Sequence, residues 1–190
     1  MNNMSTHAEF PIRKIIVAMM GTAITAIFLT AFITGANAPF EHPAGQKKTD
    51  QSDNMAELGP LMARIKTNPQ DVDALISLAE VFSRSKDWQK SEHFWSKVVE
   101  LDPKNIGAHY HRGFTLVQLK RYDEAIAEYE FVLQAEPDSL HALYYLGVIN
   151  KYGLEKPDVA KKFFQQALTL KSENRELVMD IEKELAETGK

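Results

Sequence analysis

Two different patterns of apolar residues divide the chain. Residues 15–38 read IIVAMMGTAITAIFLTAFITGANA and contain no charged residue. From about Met55 onward, apolar residues recur every three to four positions, a spacing that is typical of amphipathic helices. The residues between these regions, 39–54, are polar and include two prolines and one glycine. They show no hydrophobic period, which predicts a flexible linker.

The uncharged segment is long enough to cross a membrane, because about 20 apolar helical residues span a hydrocarbon core of about 30 Å. Arg13 and Lys14 stand directly before it, and the positive-inside rule places such residues in the cytoplasm. The pattern therefore predicts a cytoplasmic tail over residues 1–14 and a transmembrane anchor over residues 15–38. We expect a single-pass protein of the cytoplasmic (inner) membrane, with its soluble domain on the periplasmic, extracytoplasmic side.

Residues 36–38 also fit the small-x-small pattern of a signal-peptidase site. Two features favour an uncleaved signal-anchor. The apolar segment is longer than a signal-peptide core of about 7–15 residues, and Pro39 would follow the cleaved bond directly. A cleaved signal peptide is the alternative.

The rest of the chain is built from a 34-residue repeat. Segments that begin at Val72, Ile106 and Leu140 align, with an insertion in the third around Gly153–Pro157. Two positions of the repeat hold small residues: Ala79, Gly113 and Gly147 at the first, and Ser91, Ala125 and Ala160 at the second. A later position is aromatic, with Phe94, Tyr129 and Phe164. Proline closes the first two repeats, as Pro103 and Pro137. Small residues let two antiparallel helices approach closely, and proline ends the second helix. Each repeat is thus predicted to be a helical hairpin.

The predicted fold class is all-α, with eight helices in the soluble part and no strand. The repeats occupy residues 72–105, 106–139 and 140–174. A capping helix precedes them over residues 55–71. A second, largely charged helix follows over residues 175–190 and provides the solvated end that repeat arrays require. In the second repeat, we expect helices at about Gly107–Leu119 and Tyr122–Ala135.

The segment RYDEAIAEYEFVLQAEPDS, residues 121–139, resembles the second helix of the tetratricopeptide repeat (TPR), and the resemblance extends over residues 72–174. It implies a superhelix of three repeats with flanking capping helices. Three residues depart from the family pattern. His109 stands where the family usually has Trp or Leu, Lys97 where it usually has Ala, and Arg112 departs as well. We expect these departures to affect the tightness of packing and not the fold.

The resemblance also implies a concave groove that holds a peptide or a partner protein. Its lining here would be rich in Tyr and His: Ile76, Tyr110, His111, Phe114, His141, Tyr144, Tyr145 and Val148. Tyrosine suits such a surface, because it combines a large apolar ring with a hydroxyl group. Family members that clamp a peptide carboxylate use Lys, Asn and Arg at set groove positions. This chain has Ile76, Glu80, His111, His141 and Tyr145 there, so a clamp of that kind is not expected.

Composition narrows the chemistry further. The formal charge of −4 argues against a general nucleic-acid binder. The absence of Cys excludes disulfides, thiolate nucleophiles and covalent haem attachment through CxxCH. The sequence contains neither a glycine-rich phosphate loop nor HExxH, so we expect no catalytic residue, cofactor or small-molecule substrate. His109 and His111 point about 200° apart on a helix and cannot chelate one metal together. A metal or haem role for them with His141 is a minor alternative.

These observations predict a non-catalytic, membrane-anchored interaction module. An anchor followed by a short TPR array is also similar to the TPR components of bacterial cytochrome c maturation, and this similarity implies a role as an assembly factor. The alternative is a scaffold in cell-envelope, secretion or division machinery.

Overall fold

The computed structural model describes residues 51–188, with side chains from Ala56 onward. The predicted tail, the anchor and most of the linker lie outside these residues. The described part is helical throughout: α1 (Gln51–Thr67), α2 (Val72–Arg84), α3 (Trp88–Leu101), α4 (Ile106–Gln118), α5 (Tyr122–Ala135), α6 (Leu140–Val148) with a π-helical turn (Ile149–Gly153), α7 (Pro157–Thr169) and α8 (Arg175–Thr188). Between residues 51 and 188, no helix combines the length and the apolar character that a membrane span needs.

The N-terminal helix is longer than the apolar pattern indicates. Residues 51–54, predicted as the end of the linker, form the first turn of α1. That prediction is wrong for these four residues, because a polar first turn contains no apolar period to detect. In the second repeat, α5 has the expected bounds and α4 begins one residue before the expected Gly107.

The first helix of a repeat is called A-type here, and the second B-type. Helices α2, α4, α6 and α8 are A-type, and three of them begin with the same side-chain cap. Asp71 and Asn105, 34 residues apart, accept the amides of Ala74 and Ala108 at 3.0 and 2.9 Å. Asn174 does the same at the start of α8. Each cap satisfies an amide that the helix leaves without a partner.

Each helix packs on the next along the chain, and the small positions explain how closely. Gly147 of α6 lies against the ring of Phe164 on α7, so closely that a β-carbon on Gly147 would overlap the ring. A β-carbon on Gly113 would lie 3.1 Å from Tyr129 Cζ, which is tight but less severe. Both glycines stand where the repeat predicts close helix contact.

The expected alignment of the first repeat is wrong by one residue in α3. Trp95, not Phe94, lies 34 residues before Tyr129 and occupies the equivalent place. The ring of Trp95 stacks on His111, as the ring of Tyr129 stacks on Tyr145. The same correction moves Lys97 away from the small core position, which fully buried Val98 fills instead. Two adjacent aromatic residues made either alignment compatible with the pattern.

The extra residue of the third repeat is taken up inside a helix. The amide of Leu154 donates to the carbonyl of Ile149 at 3.0 Å, the i to i−5 bond of a π turn. The insertion therefore lies mainly in Ile149–Gly153, ahead of the Gly153–Pro157 loop where the sequence comparison put it.

The turns between the paired helices share a left-handed residue that is not glycine. Lys86, Lys120 and Glu155 have φ angles of 59°, 59° and 54°. The first two are 34 residues apart. The third follows after 35, because the π turn adds one residue. A side chain in this conformation carries a steric cost that glycine avoids.

Candidate binding groove

One residue from each A-type helix forms what we call the position-5 row. Ile76, Tyr110, Tyr144 and Met179 are the fifth residues of α2, α4, α6 and α8. Met179 is 66% exposed, the largest exposure given for a bulky apolar side chain in the described part of the chain. The sequence reasoning missed Met179, since α8 was treated as a solvated cap. The signal was present, because Met179 occupies the same helical position as the three residues before it.

The structure corrects part of the predicted lining. Tyr145 and Val148 are fully buried and present no surface to a partner. Tyr144 is 7% exposed, so little of its ring is accessible. The other five predicted residues are partly exposed: Ile76, Tyr110, His111, Phe114 and His141. The accessible surface of the groove is therefore smaller than expected, and the buried side chains of Tyr144 and Tyr145 pack beneath it.

This surface is supported by a continuous set of ring contacts. Tyr110 meets the rings of Tyr129, Tyr145 and His141 edge to face, with centroids 5.9, 6.1 and 6.1 Å apart. Phe114 meets Tyr145 in the same way at 5.9 Å. Edge-to-face contacts between aromatic rings are favourable in addition to the area they bury. They hold Tyr110 and Phe114 in fixed orientations at the surface.

Burial shifts the pKa values of three groove side chains in the direction that favours their uncharged forms. It raises the pKa of Tyr110 and Tyr144 well above the usual tyrosine value. It lowers the pKa of half-buried His141 below the usual histidine value. At pH 7 these three side chains are thus uncharged, and they offer hydrogen-bonding groups without a formal charge.

A cleft of about 400 Å³ opens beside Tyr110. It lies among the start of α4, the end of α5 and the start of α6, and it is lined by Ile106, Gly107, Tyr110, Val132, Glu136, Ser139 and His141. Two predicted groove residues, Tyr110 and His141, share this cleft. Gly107 helps to keep it open, because a β-carbon there would approach just Asn105 Oδ1, at 3.5 Å.

A buried ionic network explains the two departures in the second repeat. Glu128 is 7% exposed, and its carboxylate contacts Nδ1 of His109 at 2.5 Å and the guanidinium of Arg112. The other ring nitrogen of His109 lies 3.1 Å from the carbonyl oxygen of Pro103. Arg112 also donates to Glu92 on α3 at 3.1 Å. His109 and Arg112 are therefore both partners of buried Glu128, Arg112 also pairs with partly buried Glu92, and the network joins α3, α4 and α5.

The three groove and core histidines have separate environments. Both nitrogens of His109 face oxygen atoms, and His111 stacks on Trp95. Among residues 56–188, no group of three or more His, Cys, Asp or Glu side chains is arranged to hold a metal ion.

Comparison with known proteins places these features in context. The profile of the family described as anaphase-promoting complex, cyclosome, subunit 3 matches residues 54–132. The type IV pilus assembly protein PilF of Pseudomonas aeruginosa is 28% identical over an alignment 116 residues long, which covers 58% of this chain. The match spans 44% of the length of PilF.

Several solved structures share the fold. MamA of Desulfovibrio magneticus RS-1 has a TM-score of 0.60 at 23% identity and covers 72% of this chain and 80% of its own. The first TPR of Spaghetti (RPAP3), bound to an HSP90 peptide, has a TM-score of 0.56 at 18% identity over 63% and 91%. YrrB, a TPR protein with an unusual peptide-binding site, has a TM-score of 0.54 at 27% identity over 68% and 66%.

The repeat, the stacked hairpins and these matches together define a tetratricopeptide-repeat fold. The prediction of an all-helical TPR superhelix with eight helices is confirmed for the described residues. Solved structures that share this fold include TPR domains with a bound peptide, such as that of Spaghetti (RPAP3).

Proposed function

We propose that this chain is a non-catalytic, membrane-anchored interaction module that binds a peptide or partner protein along the position-5 row. The observation that carries this proposal is the row itself. Four successive A-type helices each place their fifth residue in it, and the row ends in exposed Met179.

The character of the row supports binding rather than packing alone. Methionine is flexible and polarizable, and it adapts to different apolar partners. Tyr110 is held by four ring contacts while part of its side chain stays accessible. A partner would meet a preformed aromatic wall beside an adaptable methionine, which lowers the entropic cost of association.

The sequence pattern and the similarity to PilF support a place in the cell envelope. Residues 15–38 would anchor the chain in the cytoplasmic membrane, and the array would lie on the periplasmic side. PilF is named as a type IV pilus assembly protein, and this likeness favours a scaffold in the assembly of an envelope machine. The role in cytochrome c maturation is the second candidate, based on the order of anchor and TPR array.

Site-specific crosslinking tests the binding face. A photoreactive amino acid would replace Met179 in the full-length protein in cells, and in a matched protein it would replace Glu130, which is exposed on B-type helix α5. We expect a discrete adduct from position 179 that Tyr110→Ala abolishes, and none from position 130. Adducts from position 130 alone would place the partner on the other face and refute the proposal.

Topology has its own test. An enzyme that is active only outside the cytoplasm, fused after Lys190, should be active, and the protein should stay in the membrane after carbonate washing. A soluble product that begins at Pro39 would refute the anchor. Gene deletion separates the two cellular roles, because loss of haem-stained c-type cytochromes supports maturation, and loss of an envelope appendage with normal cytochromes supports assembly of that appendage.

A further inference from the structure

The cleft beside Tyr110 contains one formal charge. Of its lining residues, Ile106 and Val132 are apolar, Gly107 has no side chain, and Ser139 is neutral. Tyr110 and His141 are uncharged at pH 7 for the reason given above. The remaining residue is Glu136, an exposed carboxylate that makes no ion pair within the described residues. Any ligand side chain that enters the cleft therefore meets apolar walls and one negative charge.

The helix ends around the cleft leave this negative charge dominant. Glu136 caps the C-terminus of α5, where unpaired carbonyl groups carry about half a negative charge. The N-termini of α4 and α6 lie on the opposite sides and each contribute about half a positive charge. Asn105 already accepts an amide at the start of α4. The full charge of Glu136, added to the end of α5, exceeds what the two N-termini supply.

We propose that the cleft receives a lysine or arginine side chain of the partner segment. This inference rests on the proposed function and names the chemistry of its ligand. The aliphatic stem would cover Tyr110, Ile106 and Val132, and the cationic end would reach Glu136. Long basic side chains pack their stems on apolar surface and leave the charge at the polar edge, so they match both parts of the cleft.

Three synthetic peptides test the charge preference. Acetyl-Ala-Leu-X-Leu-Ala-amide would carry arginine, neutral citrulline or glutamate at X, and each would be titrated into the full-length, isotope-labelled protein. The backbone amide signal of Gly107 reports the cleft. We expect the arginine peptide to bind roughly two- to five-fold more tightly than the citrulline peptide, which is the range of a partly exposed ion pair. Glu136→Gln should remove this preference, and Glu130→Gln should leave it intact.

A second variant separates binding from folding. Gly107→Leu would fill the cleft, and leucine is a better helix former than glycine at this exposed position. We expect equal or higher stability together with at least ten-fold weaker binding of the arginine peptide.

Three outcomes would overturn the inference. They are tighter binding of the glutamate peptide, a preference for arginine that survives Glu136→Gln, and arginine binding that perturbs the Tyr144 or Met179 signals but not Gly107. In the last case the proposed function would stand, because the row would still bind a peptide elsewhere. If none of the peptides shifted the signals of the row residues and position 179 also gave no crosslinked adduct, both this inference and the proposed function would be refuted.

Discussion

The ring of Tyr129 stacks on the ring of Tyr145, with centroids 5.2 Å apart and planes 7° apart. Tyr129 belongs to the second helix of one repeat and Tyr145 to the first helix of the next. One repeat earlier, Trp95 stacks on His111 at 5.0 Å in the same arrangement. Successive repeats are therefore joined by one stacked pair each, and in the second pair both partners are fully buried.

The hydroxyl of Tyr129 is buried without a hydrogen-bond partner. Removing it should not destabilise the protein, because a buried polar group without a partner costs free energy. We expect Tyr129→Phe to raise the free energy of unfolding by up to about 1 kcal/mol. Tyr129→Ala removes the stacked ring and should lower it by about 3–5 kcal/mol. Urea unfolding measures both, and a loss above 1 kcal/mol in Tyr129→Phe would contradict the buried, unpaired hydroxyl.

The two glycines at the helix contacts should respond differently to alanine. Alanine adds about 1 kcal/mol of helix propensity at either site. At Gly147 the new methyl group overlaps the Phe164 ring, which should cost about 1–3 kcal/mol and give a net loss. At Gly113 the contact is 3.1 Å, so Gly113→Ala should be close to neutral. Thermal unfolding of the two variants compares them directly, and equal effects would contradict the packing described.

Removing one member of the ionic network should lower the free energy of unfolding, whereas replacing the whole network by apolar residues should change it little. Glu128→Leu leaves Arg112 and His109 without their shared carboxylate, and we expect a loss of about 3 kcal/mol. The triple variant His109→Leu, Arg112→Leu, Glu128→Leu replaces charges by apolar groups and should recover most of this loss. Chemical unfolding measures each variant. Equal destabilisation of the single and triple variants would show that the network is needed as such.

Stability should fall steeply in alkaline solution. Burial raises the pKa of Tyr110, Tyr129, Tyr144 and Tyr145 in the folded state above the unfolded value near 10. Above pH 10 the unfolded chain releases these protons and the folded chain keeps them. The contribution of these tyrosines to the free energy of unfolding is therefore fully present below pH 10 and is lost as the pH rises. Four such groups correspond to a loss of roughly 5 kcal/mol per pH unit.

Circular dichroism and tyrosinate absorbance, recorded together against pH, test this expectation. The tyrosines should ionise as the helical signal disappears, and the double variant Tyr110→Phe, Tyr144→Phe should unfold less steeply. Ionisation of all tyrosines near pH 10 with the helices intact would contradict their burial.

Glycine should improve the turn between α4 and α5. Lys120 has a φ of 59°, where a side chain costs about 1 kcal/mol. We expect Lys120→Gly to raise the free energy of unfolding by about 0.5–1 kcal/mol. Lys104→Gly, in a turn without positive φ, is the matched control and should give no gain. Thermal unfolding distinguishes them, and equal shifts would argue against strain at Lys120.

The repeat explains why so much of the fold could be predicted from the sequence. The spacing of small residues and prolines located α5 to the residue, and it marked Gly113 and Gly147 as contact points. Each position of the hairpin occurs in three copies, so an ambiguous residue in one repeat can usually be assigned from the other two. Where two aromatic residues are adjacent, as Phe94 and Trp95 are, the period alone could not choose between them.

The groove was harder to predict, because α6 is apolar on every side. Nearly all of its residues are buried, including Tyr144, Tyr145 and Val148. The position of a residue in the repeat therefore could not show whether its side chain lines the groove or lies in the core. The pairing of His109 with Glu128 was also invisible, since the two residues lie 19 positions apart on different helices and follow no period.

The π turn fits the third repeat closely against the second. Its Gly153 lies so close to Tyr122 of the preceding repeat that a β-carbon would sit 2.9 Å from the ring. The third repeat is thus shaped to fit the second, and it could not follow the first equally well unless Trp88, the equivalent of Tyr122, left the same space. The three hairpins share a period, but they are not interchangeable modules. Exchanging the hairpins would therefore have to preserve the close fit between Gly153 and Tyr122.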